Sequence, residues 1–345
     1  MKIIGIDLFS GCGGLSRGLL DAGIEMRLGI DIDKAVKDTY ELNNKPSKFL
    51  CNDVSLLSGE YLLSLIDKTS DELLLLAGSP PCQPFSKQNK NSDNIEDDRR
   101  NLVLQFGRIA SEIQPDYVLL ENVPGLMKQD VFGRFIDKLG EKYQKDYGVL
   151  DAKCYGIPQN RKRLIFLASK KDRIELPKGV YGKDLPFRTV RETIKKYPPL
   201  KAGKQNRNIP NHQAANLSKV NLERLKHIKR NGGSRTDLPT KLQLKCHKKY
   251  SGHSDVYGRM SWDNPAPTLT CKCGSISNGR FGHPTQTRAI SLREAAALQS
   301  FPDNFVFHCS LTQISSWIGN AVPPKMAYEL GKTVIQHSRS AKTVN

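Results

Sequence analysis

Short apolar runs recur along the first half of the chain, each closing on a polar or turn residue. KIIGIDLF (2–9), MRLGIDI (26–32), KFLCND (48–53), DELLLLAG (71–78) and PDYVLLENV (115–123) each predict a buried strand. Between them, KAVKDTYELN (34–43) and NLVLQFGRIASEI (101–113) carry apolar residues at helical spacing. Strands alternating with helices imply an α/β fold, a doubly wound and mostly parallel sheet. A later pair, YGVLDAKC (147–154) and RKRLIFLAS (161–169), is separated by YGIPQN and reads as a hairpin on the edge of that sheet.

Past residue 168 the rhythm is lost. NGG, PP, DNPAP and GHP break the chain, and Tyr250, Tyr257, Trp262 and Phe281 are scattered among lysines and arginines. Regularity returns at SLREAAALQSFPD (291–303), a helix with Ser291 as N-cap and Glu294 in the capping-box position. PPKMAYELGKTVIQH (323–337) predicts a last helix with proline at its start, followed by a frayed tail. Two domains follow from this pattern. Residues 1–168 join 288–345 in a large domain, and 169–287 form a smaller, loop-rich one.

Charge sharpens the division. The 345 residues carry a net charge of +18, and residues 170–287 hold 25 Lys and Arg against 8 Asp and Glu. Nearly all the excess is therefore in the small domain, which reads as a polyanion-binding segment, most simply for nucleic acid. No apolar run approaches the roughly 20 residues of a membrane span, and MKIIGIDLFSG turns polar too early for a signal peptide. A cytoplasmic protein with no membrane partner and reduced thiols is expected.

In open α/β sheets ligands bind beyond the carboxyl ends of the strands. Asp7, Asp31, Asp53, Cys82 and Glu121 stand there. Gly11, Gly13 and Gly14 form a turn before the first helix, where a ligand can approach the backbone and an anionic group is favoured. Ser16 replaces the last small residue of a dinucleotide fingerprint, which disfavours a nicotinamide dehydrogenase. Asp31 is placed to accept hydrogen bonds from a ribose diol, and Asp53 to face an adenine edge. Cys82 lies among Pro80, Pro81 and Pro84, a stiff loop that fixes the direction of one thiol.

DLFSGCGG (7–14), GSPPCQPFS (78–86), ENV (121–123), QNRKR (159–163), REAAALQSFP (293–302) and IGNAVPP (318–324) occur in the order found in DNA (cytosine-5)-methyltransferases. The chain resembles that family over nearly its whole length, and in its compactness resembles bacterial enzymes of restriction–modification systems. The resemblance implies a fold of the S-adenosylmethionine-dependent methyltransferase type and a covalent mechanism. Cys82 is the implied nucleophile, a thiolate adding to carbon 6 of cytosine so that carbon 5 can accept a methyl group. Glu121 is expected to donate a proton or hydrogen bond to nitrogen 3, Arg163 to bond oxygen 2, and Arg161 to brace the loop.

The implied cofactor, S-adenosylmethionine, would be lined by Asp7, Phe9, Ser10 and the turn Gly11, Gly13 and Gly14. Asp31 with Ile32 and Asp53 with Val54 would hold its adenosine, with Pro80, Leu102, Asn320 and Ala321 completing the pocket. Many relatives place an aromatic residue after the ribose-binding acid. Ile32 keeps apolar packing on adenine there and loses the stacking.

A stacked base cannot react, so the target cytosine must be flipped out of double-stranded DNA. Ser86, Lys87 and Gln88 follow the thiol on a loop that, in the family, closes over the DNA. The basic segment corresponds to the family's target-recognition domain, with its Thr-Leu pair at Thr268 and Leu269. Arg235, Arg259, Lys272 and Arg280 are candidate DNA contacts, as phosphate contacts before base readers. Cys246, Cys271, Cys273, His247, His253 and His283 lack a C-x-x-C pair, so no metal is expected. The expected state is a monomer on DNA, with a cognate endonuclease sharing the site without stable contact. A transfer-RNA cytosine methyltransferase shares these motifs but carries a CFT segment that this chain lacks. An inactive methyltransferase scaffold would not need Cys82, Glu121 and Arg163 intact.

Overall fold

The computed structural model describes residues 2–81, 101–248 and 255–340. Packing divides the chain into two compact units: Met1–Asp151, Lys162–Gly179 and Val322–Asn345 in one, Ala152–Arg161 and Val180–Ala321 in the other. The strands are β1 (Ile3–Leu8), β2 (Glu25–Asp31), β3 (Lys48–Cys51), β4 (Leu73–Gly78), β5 (Tyr117–Asn122), β6 (Gln144–Asp151) and β7 (Lys162–Ser169). The helices are α1 (Gly14–Ala22), α2 (Lys37–Asn43), α3 (Gly59–Ser64), α4 (Asn101–Ile113), α5 (Asp130–Leu139), α6 (Val190–Ile194), α7 (Lys219–His227), α8 (Lys245–Lys248), α9 (Leu292–Leu298), α10 (Leu311–Asn320) and α11 (Pro324–Ser340).

All seven strands belong to the first unit and form one sheet in the order β3-β2-β1-β4-β5-β7-β6. The pairs from β3 to β5 are parallel, and β7 runs antiparallel to both β5 and β6. The apolar runs explain the arrangement: β1, β4 and β5 are buried at every residue, as strands covered on both faces must be. Ile6, Ile30, Leu76 and Leu120 of the strands share the main core with Val103, Phe106 and Ile109 of α4. Phe135 of α5 closes it, 5.9 Å from Phe106 and 5.0 Å from Phe166 between ring centroids. Each such side chain contributes about 1.5–3 kcal/mol by leaving water. Strand order reverses between β1 and β4, so the crevice beyond their carboxyl ends is where this topology places a ligand.

The second unit has no named strand among its described residues and a small core of Leu225, Ile228, Leu238, Tyr257, Ile276 and Ala289. Buried arginines supply much of its order. Arg288 pairs with Glu294 through two bonds of 2.7 and 2.8 Å, and Arg293 donates to the carbonyls of Pro210 and Pro302 at 2.9 and 3.0 Å. Guanidinium groups bridging loop carbonyls do here what ladder hydrogen bonds do in a sheet. Ser291 caps α9 in a capping box with Glu294, as its sequence predicts.

As a division of packing, these units differ from the sequence boundaries of 1–168, 169–287 and 288–345. Residues 288–321 join the second unit because Ser291 meets the buried His212 at 2.9 Å and the Leu292 N–H donates to the Gln213 carbonyl. Residues up to 179 stay with the first, where the Leu176 N–H is held by Asp146 at 2.8 Å. Among the described residues, no helix is long and apolar enough to cross a membrane.

Candidate active site

The turn after β1 is built around two carboxylates. Asp7 is fully buried at the end of the strand and accepts the Ser16 hydroxyl at 2.7 Å. Ser16 meets the Tyr40 hydroxyl at 2.8 Å, and Tyr40 meets Ser47 at 2.9 Å, a buried polar chain beneath the turn. The residue that breaks the dinucleotide fingerprint thus has work of its own, holding the Asp7 carboxyl in place. Burial drives that carboxyl up to about 7, with the negative charge of Asp31 adding to the shift.

Asp31, ending β2, accepts the Gly11 N–H at 2.8 Å on one oxygen and the Asp33 N–H at 2.9 Å on the other. The carboxylate is thereby aimed, and burial raises it above its ordinary range. Gly11, at φ +49°, has no atom of the described residues within 4 Å of where a Cβ would stand, so its outer face is open among them. Gly13, at φ +89°, is different: a Cβ would lie 2.1 Å from the Asn44 amide. Ile32 beside Asp31 is 70% exposed, a large apolar side chain left in water at a strand end. Asp53 caps the next turn by accepting the Ser55 N–H at 2.8 Å, Val54 is buried in the core, and Leu102 is half-buried in the first turn of α4. Among the described residues, neither Asp7 Oδ1 nor Ser10 Oγ has a hydrogen-bond partner, although both are buried.

Glu121, near the end of β5, and Arg163, on β7, form an ion pair with Nε and Oε1 2.9 Å apart. Burial lowers the Arg163 guanidinium while the Glu121 charge opposes that shift. The next residue, Asn122, donates to the Pro80 carbonyl at 3.0 Å and so ties β5 to the loop that precedes Cys82. Cys82, Ser86, Lys87 and Gln88 lie outside the described residues.

In the second unit Arg161 is buried and donates to the carbonyls of Leu269, Gly319 and Ala321 at 3.2, 3.0 and 3.1 Å. Its guanidinium braces three segments and is a positioning group. Gln159 accepts the Leu269 N–H at 2.9 Å, and Gln299 donates to the Ile318 and Ala321 carbonyls at 3.0 and 2.8 Å. The motifs at 159–163, 293–302 and 318–324 are thus interlocked by buried amides and one arginine. Sequence reasoning singles out neither glutamine, although Gln299 follows AAAL and a buried amide in such a run must find partners. Asn320 closes α10 exposed, accepting the Cys271 thiol at 2.9 Å, and Ala321 follows half-buried.

The candidate DNA contacts separate sharply. Arg259, 2% exposed, commits its guanidinium to the carbonyls of Ile228, His283, Gln286 and Leu225, and burial lowers it to about 10. Arg280 is held by Asp255 at 3.0 Å and by the Gly232 carbonyl at 2.9 Å. Arg235 is buried within its own one-turn helix, and Leu269 is core. All four side chains are thus engaged or packed within the second unit, Arg280 while still partly exposed. Lys272 and Thr268 remain exposed, Thr268 with its hydroxyl on the Asn160 carbonyl. Cys273 is buried against Ser315, and the buried His283 is lowered to about 4 by desolvation.

Comparison with known proteins agrees with this arrangement. Residues 3–336 match the family profile described as C-5 cytosine-specific DNA methylase. The Type II methylase M.HgiDII of Herpetosiphon aurantiacus is 38% identical over 339 residues, covering 95% of this chain and 94% of that protein. The Type II methyltransferase M1.HphI of Haemophilus parahaemolyticus is 35% identical over 345 residues, covering 97% and 87%. A solved E. coli structure, described as a DNA modification methyltransferase encoded within a prophage, superposes with a TM-score of 0.75 at 26% identity, covering 98% of this chain and all of that one. With a sheet of this order, an aimed carboxylate at the end of β2 and the Glu121–Arg163 pair on neighbouring strands, the chain belongs to the C-5 cytosine-specific DNA methylases and is a DNA (cytosine-5-)-methyltransferase.

Proposed function

We propose that this chain methylates carbon 5 of a cytosine flipped out of double-stranded DNA, through a covalent bond from Cys82 to carbon 6, as the methylase of a restriction–modification system. The observation that supports the reading is the Glu121–Arg163 pair, a carboxyl and a guanidinium side by side, the two groups this mechanism needs for nitrogen 3 and oxygen 2 of the base. Family and fold imply S-adenosylmethionine. The residues fit it: Asp31 offers an oriented carboxylate to a diol, Ile32 an exposed apolar face, and Gly11 an open backbone. The buried and unpartnered Asp7 Oδ1 and Ser10 Oγ mark polar capacity that the described residues do not use. When bound, the cofactor supplies an electrophilic methyl group on a sulfonium.

The protein's own part is to make carbon 5 nucleophilic. The Cys82 thiolate adds to carbon 6, and the electron pair of the carbon 5–carbon 6 double bond becomes available at carbon 5. Glu121 takes up a proton when the base fills the pocket and holds it at nitrogen 3, and Arg163 bonds oxygen 2, so charge on the ring is met by fixed donors. Once carbon 5 carries the methyl group, its proton passes to water, the electron pair of that bond re-forms the carbon 5–carbon 6 double bond, and the thiolate leaves carbon 6. Lys272, Thr268 and the loop residues Ser86, Lys87 and Gln88 contact the DNA in this reading, and the excess of lysine in 170–287 neutralises phosphates. A cognate endonuclease shares the site.

Trapping tests the covalent step. On DNA copied with 5-fluorodeoxycytidine triphosphate, carbon 5 carries no proton to lose, so the adduct persists. Wild-type protein with cofactor is expected to form a complex that survives denaturation, and Cys82→Ala none. A complex formed equally by Cys82→Ala, or none by folded wild type, would overturn the mechanism, and transfer RNA would then be tried as substrate.

A further inference from the structure

The turn that follows β1 and the loop that follows β4 are joined where they leave the sheet. Ser79 donates its backbone N–H to the Leu8 carbonyl at 3.2 Å and its hydroxyl to the Phe9 carbonyl at 3.3 Å. Gly78 permits this approach, since a Cβ there would stand 2.7 Å from the Leu8 carbonyl oxygen. Phe9 itself is held at φ +60°, a left-handed conformation uncommon for a residue of its size. Backbone strain of this kind persists where the surroundings over-determine it, and it concentrates where geometry matters for function. On the far side, the Ser10 N–H bonds the Ile30 carbonyl at 2.9 Å and the Gly11 N–H bonds Asp31. Ser79 holds the same turn from β4. One residue on, Pro80 is held from β5 by Asn122, next to Glu121.

We propose that Ser79 is a positioning residue for methyl transfer: its hydroxyl fixes the end of β4, from which the chain continues to Cys82, against the Phe9 carbonyl of the turn read as holding the cofactor. The inference rests on the reading of Cys82 and of that turn given above. The hydroxyl touches neither base nor nucleophile in this scheme. It ties the strand end that leads to the nucleophile to the turn read as the cofactor's, and misplacement of reacting groups is costly even when each remains intact.

Single-turnover methylation, cofactor affinity by calorimetry and thermal unfolding are measured for wild type, Ser79→Ala, Ser79→Thr and Ser79→Val. Ser79→Ala is expected to slow methyl transfer about 5- to 10-fold, the size of one ordinary hydrogen bond. Cofactor affinity should stay within about twofold, because Asp31 and Gly11 are untouched. Thr, which keeps the hydroxyl, should recover the rate, and the isosteric Val should not. That Thr–Val comparison decides the matter even if Ser79→Ala fails to fold. Equal rates for Thr and Val, or a wild-type rate for Ser79→Val, would overturn the proposal. Fluorocytosine trapping of wild type, run alongside, keeps the two readings apart. Absence of an adduct overturns the Cys82 mechanism and this inference with it, whereas an adduct with indistinguishable Ser79 variants removes only the positioning role.

Discussion

Arg163 Nε stands 2.9 Å from Glu121 Oε1, and the two side chains are 14% and 6% exposed on antiparallel neighbours β7 and β5. A mostly buried carboxylate keeps its charge at tolerable cost while a guanidinium stands beside it. Removing either partner therefore has both a structural and a chemical consequence. Arg163→Ala is expected to destabilise the fold by about 3 kcal/mol and to lower kcat by roughly 100-fold or more. Glu121→Gln leaves a neutral group of the same shape, so its loss should fall mainly on kcat. Chemical denaturation and single-turnover kinetics on the same samples check both; an Arg163→Ala enzyme with unchanged kcat would contradict the assignment.

Asp7 gives stability a pH dependence of known sign. Its folded pKa, driven up to about 7 by burial, exceeds the ordinary 3.8. Its contribution is therefore fully present below about pH 4 and is lost as pH rises through about 7. Asp31 and the Tyr40 and Cys12 side chains surround it, and Tyr40 and Cys12 are likewise raised by burial. Asp7→Asn cannot ionise, so its Tm should gain on that of wild type between about pH 4 and pH 7, by on the order of a few degrees. Calorimetric scans across that range check it, and a constant difference would contradict it.

Arg259 and Lys272 should behave as opposites. Arg259→Ala strips donors from four backbone carbonyls and is expected to cost about 3 kcal/mol or more of stability. Lys272→Ala should leave unfolding unchanged, weaken DNA binding, and reduce the slope of log affinity against log salt by about one. Denaturant titration and a salt series of binding isotherms separate the two effects.

The glycines of the first turn also divide. Gly13→Ala forces a Cβ to within 2.1 Å of the Asn44 amide at φ +89° and should destabilise the fold. Gly11→Ala meets open space at φ +49°, so the protein should fold with a modest loss. Its cofactor affinity should nonetheless fall by about tenfold or more, as the new methyl group occupies the open face. Calorimetric titration with S-adenosylmethionine distinguishes the variants.

The sheet was legible because strands buried on both faces must be apolar throughout, and LLLLAG or YVLLEN admits little else. The cap at Ser291 and the proline-led α11 were equally local and equally readable. The arginines of the second unit were not. Composition presents Arg259, Arg288 and Arg293 as surface charge, and only the family resemblance marks Arg161 as a brace, yet all four are at most 2% exposed. A guanidinium is buried only when distant carbonyls converge on it, and Arg161 finds its partners 108 to 160 residues away. Ser79 and Asn122 escaped notice for the same reason, since their importance lies in which backbone they meet and not in their own chemistry.

Base-resolution cytosine-methylation sequencing tests the central claim most directly. Plasmid DNA from a methylation-free host expressing this protein is compared with plasmid from the same host expressing Cys82→Ala. The account predicts 5-methylcytosine at one short motif on the first plasmid and none on the second. Unmodified DNA from folded, expressed wild-type protein, or equal methylation with Cys82→Ala, would contradict it.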